Sequence, residues 1–200
     1  MGPMNKRNSE KVKGLASLGV FTSGEAKKLV SVSQPTLYRL EKEGVIDKVA
    51  RGLFVHPSAN IDYEHLDYII ACKTMGQKSV IGGLSALSHY NLIEQVPQAI
   101  WIITPPSKTR SATHKKYRLI RTTISLEVEV IKQEQFKIVT LERALVEGLK
   151  HESKMGQGLV FAAIKKSLQN QNTTEDRLLK CARKLKIMNI LEKKWELIIA

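Results

Sequence analysis

Between residues 22 and 57, helix starts and stops follow one another too closely for any long element to form. Thr22-Ser23-Gly24-Glu25 has the form of a capping box. In such a box the threonine hydroxyl accepts from the backbone N–H three residues on, and the glutamate carboxylate reaches back. The helix it starts runs to about Val30 and is broken by Ser31-Val32-Ser33. Ser33 can cap a further helix over 34–43, with Pro35 tolerated in its first turn and Gly44 as its stop. From Ile46 to His56 a weak alternation surrounds Arg51-Gly52, the pattern of a β-hairpin with a tight turn, and Pro57 ends it. A short helix over 9–18 precedes this set, with Val12, Leu15, Ala16 and Leu18 at helical spacing and Gly19 closing it. Three short helices and a hairpin make the order of a winged helix-turn-helix.

In that arrangement Leu37 and Leu40 share one face of the third helix, with Val32 close by, and are expected to pack on Ala26 and Leu29. The opposite face shows Gln34, Thr36, Tyr38, Arg39 and Lys42, with Ser33 at its cap. These groups suit base edges and phosphates: Arg39 can be bidentate to guanine, Gln34 can read adenine or bind a phosphate, and Thr36 can do either. Tyr38 suits an exposed or a half-buried position equally. Lys48 and Arg51 on the hairpin are placed to straddle the adjacent backbone or minor groove. Glu41 and Glu43 keep the helix from being uniformly basic, which favours sequence-specific contact over indiscriminate adhesion.

Charge supports a polyanionic partner. The chain carries 32 Lys+Arg against 19 Asp+Glu, a net charge of +13, for which nucleic acid is the default expectation. Ten basic and five acidic residues lie in the first 58, a net of +5, so the remainder supplies +8. Part of that remainder is a run without acid over 104–121: Lys108, Arg110, Lys115, Lys116, Arg118 and Arg121, with His114. Of these, Lys108, Arg110, Lys115, Lys116 and Arg118 are candidate further phosphate contacts. Lys180, Arg183, Lys184 and Lys186 form a second cluster. Either run can equally be a solvated surface. An apolar fraction of 42% argues against wholesale disorder. No apolar run approaches the ~18–20 residues of a membrane span, and Cys72 and Cys181 are too few for a disulfide framework. A cytoplasmic protein without membrane partner is expected. The first eight residues are expected to be disordered, with Gly2-Pro3 a cloning remnant and no signal peptide.

Three parts follow: residues 1–8, a DNA-binding domain over 9–58, and, after a linker at 58–62, an α+β domain over 62–200. In the last, Asp62 caps a helix stopped by Gly76, Val80-Ile81-Gly82-Gly83 breaks to a helix over 84–90, and 99–104 is a strand. Further strands are expected at 117–122, 127–131 and 136–139. Helices follow from Thr140, over 159–168 and over 175–190, the last begun by a capping box Thr173-Thr174-Glu175-Asp176. The fold class is α+β: an N-terminal winged helix-turn-helix followed by a mixed α/β C-terminal domain.

Catalytic constellations are weak. None of Asp47, Asp62, Asp67 and Asp176 forms an Asp-x-Asp pair. Glu127-x-Glu129 is expected to place two carboxylates on one strand face, but without the Gly-Ser turn that nucleotidyl transfer needs. Gly82-Gly83-Leu84-Ser85 lacks the Lys-Ser/Thr of a P-loop, so close helix packing accounts for its glycines better than phosphate binding. Ser85 and His89 fall at i, i+4 without an orienting acid. The histidines and cysteines lack metal-ligand spacing, so no metal or cofactor is expected. Glu142-Arg143 reads either as an internal ion pair organising its helix against the sheet or as a functional surface. Two alternatives stand beside DNA binding: a metal-dependent nucleic-acid enzyme using Glu127, Glu129 and Glu147, and a module binding RNA or sequestering a partner protein (a toxin, under the resemblance described next) through 108–121.

Phe21-Thr22, Val32-Ser33-Gln34-Pro35-Thr36-Leu37-Tyr38-Arg39-Leu40, Gly44-Val45-Ile46 and Arg51-Gly52-Leu53-Phe54 together resemble the N-terminal domain of AbiEi-type antitoxins. Val80-Ile81-Gly82-Gly83-Leu84-Ser85-Ala86-Leu87, the strand from Trp101 to Pro105, and Ile138-Val139-Thr140-Leu141-Glu142-Arg143-Ala144-Leu145-Val146 are similar to that family's second domain. The sequence departs from the family in having Glu147 where an Asp is common and Ser31 in place of the turn glycine. The resemblance implies a non-enzymatic autorepressor that binds inverted repeats in its own promoter, within a type IV toxin–antitoxin (abortive infection, phage defence) system. It further implies a C-terminal domain that counters a nucleotidyltransferase toxin with no stable complex, and a protein monomeric in solution with two copies on DNA. Ser85, Glu142 and Arg143 are candidate functional residues of that second domain.

Overall fold

The computed structural model describes residues 6–76, 78–106 and 116–199. It is mixed, with 50% helix and 16% strand, and no described helix is long and apolar enough to cross a membrane. The chain divides into two compact units, Met1–Thr74 and Met75–Ala200. The division falls after most of the helix that sequence places in the second part.

The first unit contains α1 (Lys6–Ala16), β1 (Val20–Thr22), α2 (Ser23–Val30), α3 (Gln34–Lys42), β2 (Asp47–Ala50), β3 (Leu53–Val55) and most of α4 (Leu66–Met75). Helix α1 starts at Lys6, inside the stretch expected to be disordered. Thr22 and Glu25 form the full capping box: Glu25 N–H donates to the Thr22 hydroxyl at 3.1 Å and Thr22 N–H to the Glu25 carboxylate at 2.8 Å. Ser31 ends α2 in the left-handed conformation, φ 56°, so a serine serves where glycine is usual. Gly44, φ +69°, ends α3 in a Schellman turn, with Val45 N–H donating to Leu40 C=O at 2.9 Å and Gly44 N–H to Glu41 C=O at 3.0 Å.

β1 was not foreseen from sequence. It pairs with β3, not with a neighbour in sequence, and makes the wing three-stranded in the order β1-β3-β2, all antiparallel. Phe21 and Lys48 both lie directly opposite Phe54, and an irregularity follows between Lys48 and Ala50. Leu15, Phe21, Ala26, Leu37 and Phe54 are fully buried at the centre of this unit. Leu29 is not among them: it is 64% exposed. Ala26 and Val30 supply the inward stripe of α2 instead. At Val30 the helix meets α1 so closely that a Cβ on Gly14 would stand 2.5 Å from Val30 Cγ1. That contact fixes the rotation of α2 and turns Leu29 to solvent.

The second unit is built on β4 (Val80–Ile81), β5 (Ile100–Thr104), β6 (Tyr117–Arg121), β7 (Val130–Lys132) and β8 (Lys137–Val139), in the sheet order β6-β5-β4-β8-β7. β5/β6 and β4/β8 are parallel, and β4/β5 and β7/β8 antiparallel. Its helices are α5 (Gly83–His89), α6 (Leu141–Lys150), α7 (Glu152–Met155), α8 (Gln157–Gln169), α9 (Glu175–Lys184) and α10 (Met188–Ile199).

Three expectations change here. Residues 127–129 are a turn rather than strand: Glu129 has φ 52° and its carbonyl accepts from Thr140 N–H, which delays β7 to Val130. The helix expected over 175–190 is two helices. Lys186 takes φ 58° and Ile187 N–H donates to Ala182 C=O at 3.0 Å, a Schellman turn that buries Leu185 and Ile187. The cap of α9 is Thr174, which accepts from Arg177 N–H. The Thr173 hydroxyl donates to Glu142 at 2.9 Å, so no capping box forms there.

Candidate nucleic-acid interface

Pro35 sits in the first turn of α3, and the Ser33 hydroxyl accepts from Thr36 N–H at 3.4 Å and bonds the Thr36 hydroxyl at 2.8 Å. The short cap and the Gly44 stop leave a nine-residue helix. At about 1.5 Å per residue it is roughly 13–14 Å long and, with side chains, about 10–12 Å across, a cross-section that a B-DNA major groove ~12 Å wide admits. Leu37 and Leu40 bury one side. Gln34, Tyr38, Arg39 and Lys42 stand exposed on the other, and Thr36 is half-buried at the helix start.

Arg39 meets Glu43 one turn on at 3.9 Å, with 61% of its side chain exposed. Such a surface pair contributes at most about 1 kcal/mol, so the guanidinium is not committed to it. Tyr38, 40% exposed, sets its ring edge-on against Phe54 with centroids 5.9 Å apart and planes at 77°. Phe54 in turn stacks on Phe21 at 6.2 Å. Gln34 Nε2 donates to the Tyr38 hydroxyl at 3.3 Å. On the wing, Lys48 Nζ lies 6.0 Å from the centre of the Tyr38 ring, a contact worth about 0.5–1 kcal/mol at an exposed site. Arg51 is exposed beside Gly52, whose φ of +75° makes the tight turn. The structure thus brings Gln34, Tyr38 and Lys48 together and leaves Arg39, Lys42 and Arg51 as open cations nearby in the same unit.

Sequence reasoning missed the platform beneath these residues. Phe54 lies opposite Lys48 across the hairpin and opposite Phe21, 33 residues away in sequence, on β1. The strand alternation that puts Phe54 and Lys48 opposite each other was the available signal. Lys73 of α4 binds Glu25 at 2.6 Å, a pairing across 48 residues that no local pattern announces. Burial pushes the Glu25 carboxyl up, but the Lys73 hydrogen bond and charge and the bonds from Thr22 outweigh it and hold it below the ordinary 4.5.

The candidates of the second unit are occupied otherwise. Arg143 is fully buried; it is paired not with Glu142 but with Glu147, Nε to carboxylate at 3.0 Å, and donates to the carbonyls of Ser125, at 2.9 Å, and Val128. It ties α6 to the turn before β7 and presents no guanidinium to solvent. Glu142 accepts from Thr173 and lines an open cleft of about 350 Å³ with Glu129, Arg177, Lys180, Cys181 and Lys184. Burial, with Glu129 and Glu142 nearby, pushes the Cys181 thiol up to about 12, so it stays protonated. The Ser85 hydroxyl is buried and accepts from Trp101 N–H at 2.9 Å. A Cβ on Gly82 would meet Ile103 Cδ1 at 2.4 Å and one on Gly83 would meet Trp101 Cε3 at 2.8 Å, which is the close packing those glycines serve. Glu127 and Glu129 do not share a strand face: Glu127 binds Lys132 and Lys137, and Glu129 binds Lys184. Among the described residues no group of three or more His, Cys, Asp or Glu is placed to hold a metal ion. Of the basic run, Lys116 and Arg118 are exposed and Arg118 stands 5.6 Å from the Trp101 ring. Lys108, Arg110 and Lys115 lie outside the described residues.

Residues 15–57 match the model of a protein family described as "Transcriptional regulator, AbiEi antitoxin". The match covers α2, α3 and the whole three-stranded wing, with the last part of α1. No curated protein matches the chain. Among solved structures, the crystal structure of the RV2827C protein from Mycobacterium tuberculosis is similar at a TM-score of 0.56 and 14% identity, over 94% of this chain and 78% of that one. At that identity the likeness is one of fold.

Proposed function

We propose that this chain is a DNA-binding transcriptional regulator of the antitoxin kind, which represses its own operon by laying α3 in the major groove of an operator. The observation that carries the proposal is the exposed face of a doubly capped α3 beside Lys48 and Arg51, within the segment that matches the antitoxin-regulator family. In this mechanism Arg39 and Gln34 contact base edges. Ser33, Thr36 and Lys42 take phosphates flanking the helix, and Lys48 and Arg51 take the neighbouring backbone. Two copies bind an inverted repeat, one per half-site, about one helical turn or ~34 Å apart. Lys116 and Arg118 add phosphate contacts. The second unit counters a nucleotidyltransferase toxin without a stable complex.

A reporter fused to the DNA upstream of the chain's own gene tests repression. Expression of the intact chain should lower reporter output, and Arg39→Ala at equal protein level should restore most of it. Output indifferent to the wild-type chain would refute autorepression.

A further inference from the structure

We infer that Tyr38 is a positioning residue that sets both the base-reading amide of α3 and the phosphate-facing cation of the wing; this rests on the DNA-reading function proposed above. Three independent contacts converge on the one side chain. Its hydroxyl accepts a hydrogen bond from Gln34 Nε2 at 3.3 Å. Its ring is seated edge-on against fully buried Phe54. Lys48 Nζ lies over the same ring at 6.0 Å.

The register of the wing explains why these meet. Phe21, Phe54 and Lys48 face one another across β1, β3 and β2, and residues opposite each other in a sheet present their side chains on the same face. The row begins with two buried rings and ends in a cation, and Tyr38 reaches onto it from α3. The irregularity in pairing comes only after Lys48. A slip of one residue before it would carry Lys48 to the other face.

The hydrogen bond also leaves Gln34 in the state that adenine requires. A glutamine amide has two N–H donors and one carbonyl acceptor. Donation to Tyr38 uses one N–H and keeps the other N–H and the carbonyl, the pair that N7 and N6–H₂ of adenine take in the major groove. It removes rotamer freedom from a long side chain before DNA arrives, so less ordering remains to be done on binding. Tyr38 therefore acts on base preference through Gln34 and on phosphate contact through Lys48.

Selection of the full-length chain from a randomised duplex library, with sequencing of the bound fraction and the salt dependence of affinity for the selected duplex, separates these roles. Wild type should select a sequence, and Gln34→Ala should flatten one position of it. Tyr38→Phe keeps the ring on Phe54 and removes the hydroxyl. It should flatten the same position about two- to tenfold, the value of immobilising one such side chain, with the salt slope unchanged. In the Gln34→Ala background it should have no further effect. Tyr38→Leu should in addition reduce the slope by roughly 0.9, one phosphate contact, as Lys48→Gln does. If Tyr38→Leu fails to fold by thermal unfolding, Tyr38→Phe and Lys48→Gln still decide the matter. A Tyr38→Phe preference identical to wild type overturns the inference while DNA reading stands. So does flattening at a position that Gln34→Ala leaves sharp, or a Gln34→Ala that flattens nothing. A wild-type chain that selects no sequence overturns both.

Discussion

Arg143 shows how a residue can carry the look of function and do structural work. At the start of a helix, beside Glu142 in a string resembling a family's second domain, it reads either as an internal ion pair organising its helix against the sheet or as a functional surface. The chain buries it completely in an internal ion pair whose partner is Glu147, one helical turn on, and not Glu142, and its Nη1 donates to two carbonyls of the turn before β7. The i, i+4 spacing to Glu147 was legible; the two carbonyls were not, because they belong to a turn 15–18 residues upstream. A buried ion pair held by four hydrogen bonds has no substitute in water when one side is removed. Arg143→Met should therefore destabilise the chain by about 3–5 kcal/mol, since Glu147 is left charged and unpaired, as read from the shift in urea midpoint. A shift below about 1 kcal/mol would mean the site is wetter than its burial says. Leu29 teaches the reverse lesson. Apolar type and spacing near Ala26 suggested core, yet the close approach of Gly14 to Val30 set the helix rotation and left Leu29 outside.

Elements whose ends are written in local chemistry were legible. The Thr22–Glu25 box, the Ser33 cap with Pro35, and the Gly44 and Gly52 turns all act within a few residues, and each is where it was expected. Elements defined by distant partners were not. β1 is three residues long and is a strand because Val55, Phe54 and Leu53 lie opposite it. The break between α9 and α10 has a left-handed lysine where glycine would have announced it. Glu25 joins the local and distant kinds, capping α2 and binding Lys73 of α4. Thr22→Ala should destabilise the chain by about 0.5–2 kcal/mol. The Lys73 pair adds a pH signature: a carboxyl held below 4.5 in the fold contributes stability that is present above that value and is lost as pH falls through the lower folded one. The difference in urea midpoint between wild type and Lys73→Met should thus be largest at neutral pH and shrink on acidification below 4.5. An equal difference at pH 3 and pH 7 would contradict it.

At the scale of the whole molecule, the net charge of +13 is spread along the whole chain, +5 through residue 58 and +8 beyond it. The +5 of the first 58 residues lies on the segment that holds α3, its cap and the wing, whose elements were legible because their signals are local, and most of that segment matches a known regulator family. Beyond it several basic residues are paired within the fold, Lys132 and Lys137 with Glu127, Lys184 with Glu129 and Lys194 with Glu152. Two of those pairings, Lys184 with Glu129 and Lys194 with Glu152, join residues far apart in sequence, which composition alone does not reveal. The central claim is that the exposed face of α3 reads bases while the wing holds phosphates. The affinity of the intact chain for the duplex upstream of its own gene, against a scrambled duplex over a range of salt, tests it most directly. The account predicts that the upstream duplex binds at least ~10³-fold more tightly at physiological salt, that Arg39→Ala removes about 1–3 kcal/mol of that preference, and that Arg51→Ala lowers the salt slope by about one with preference intact. Equal affinity for the two duplexes would contradict it.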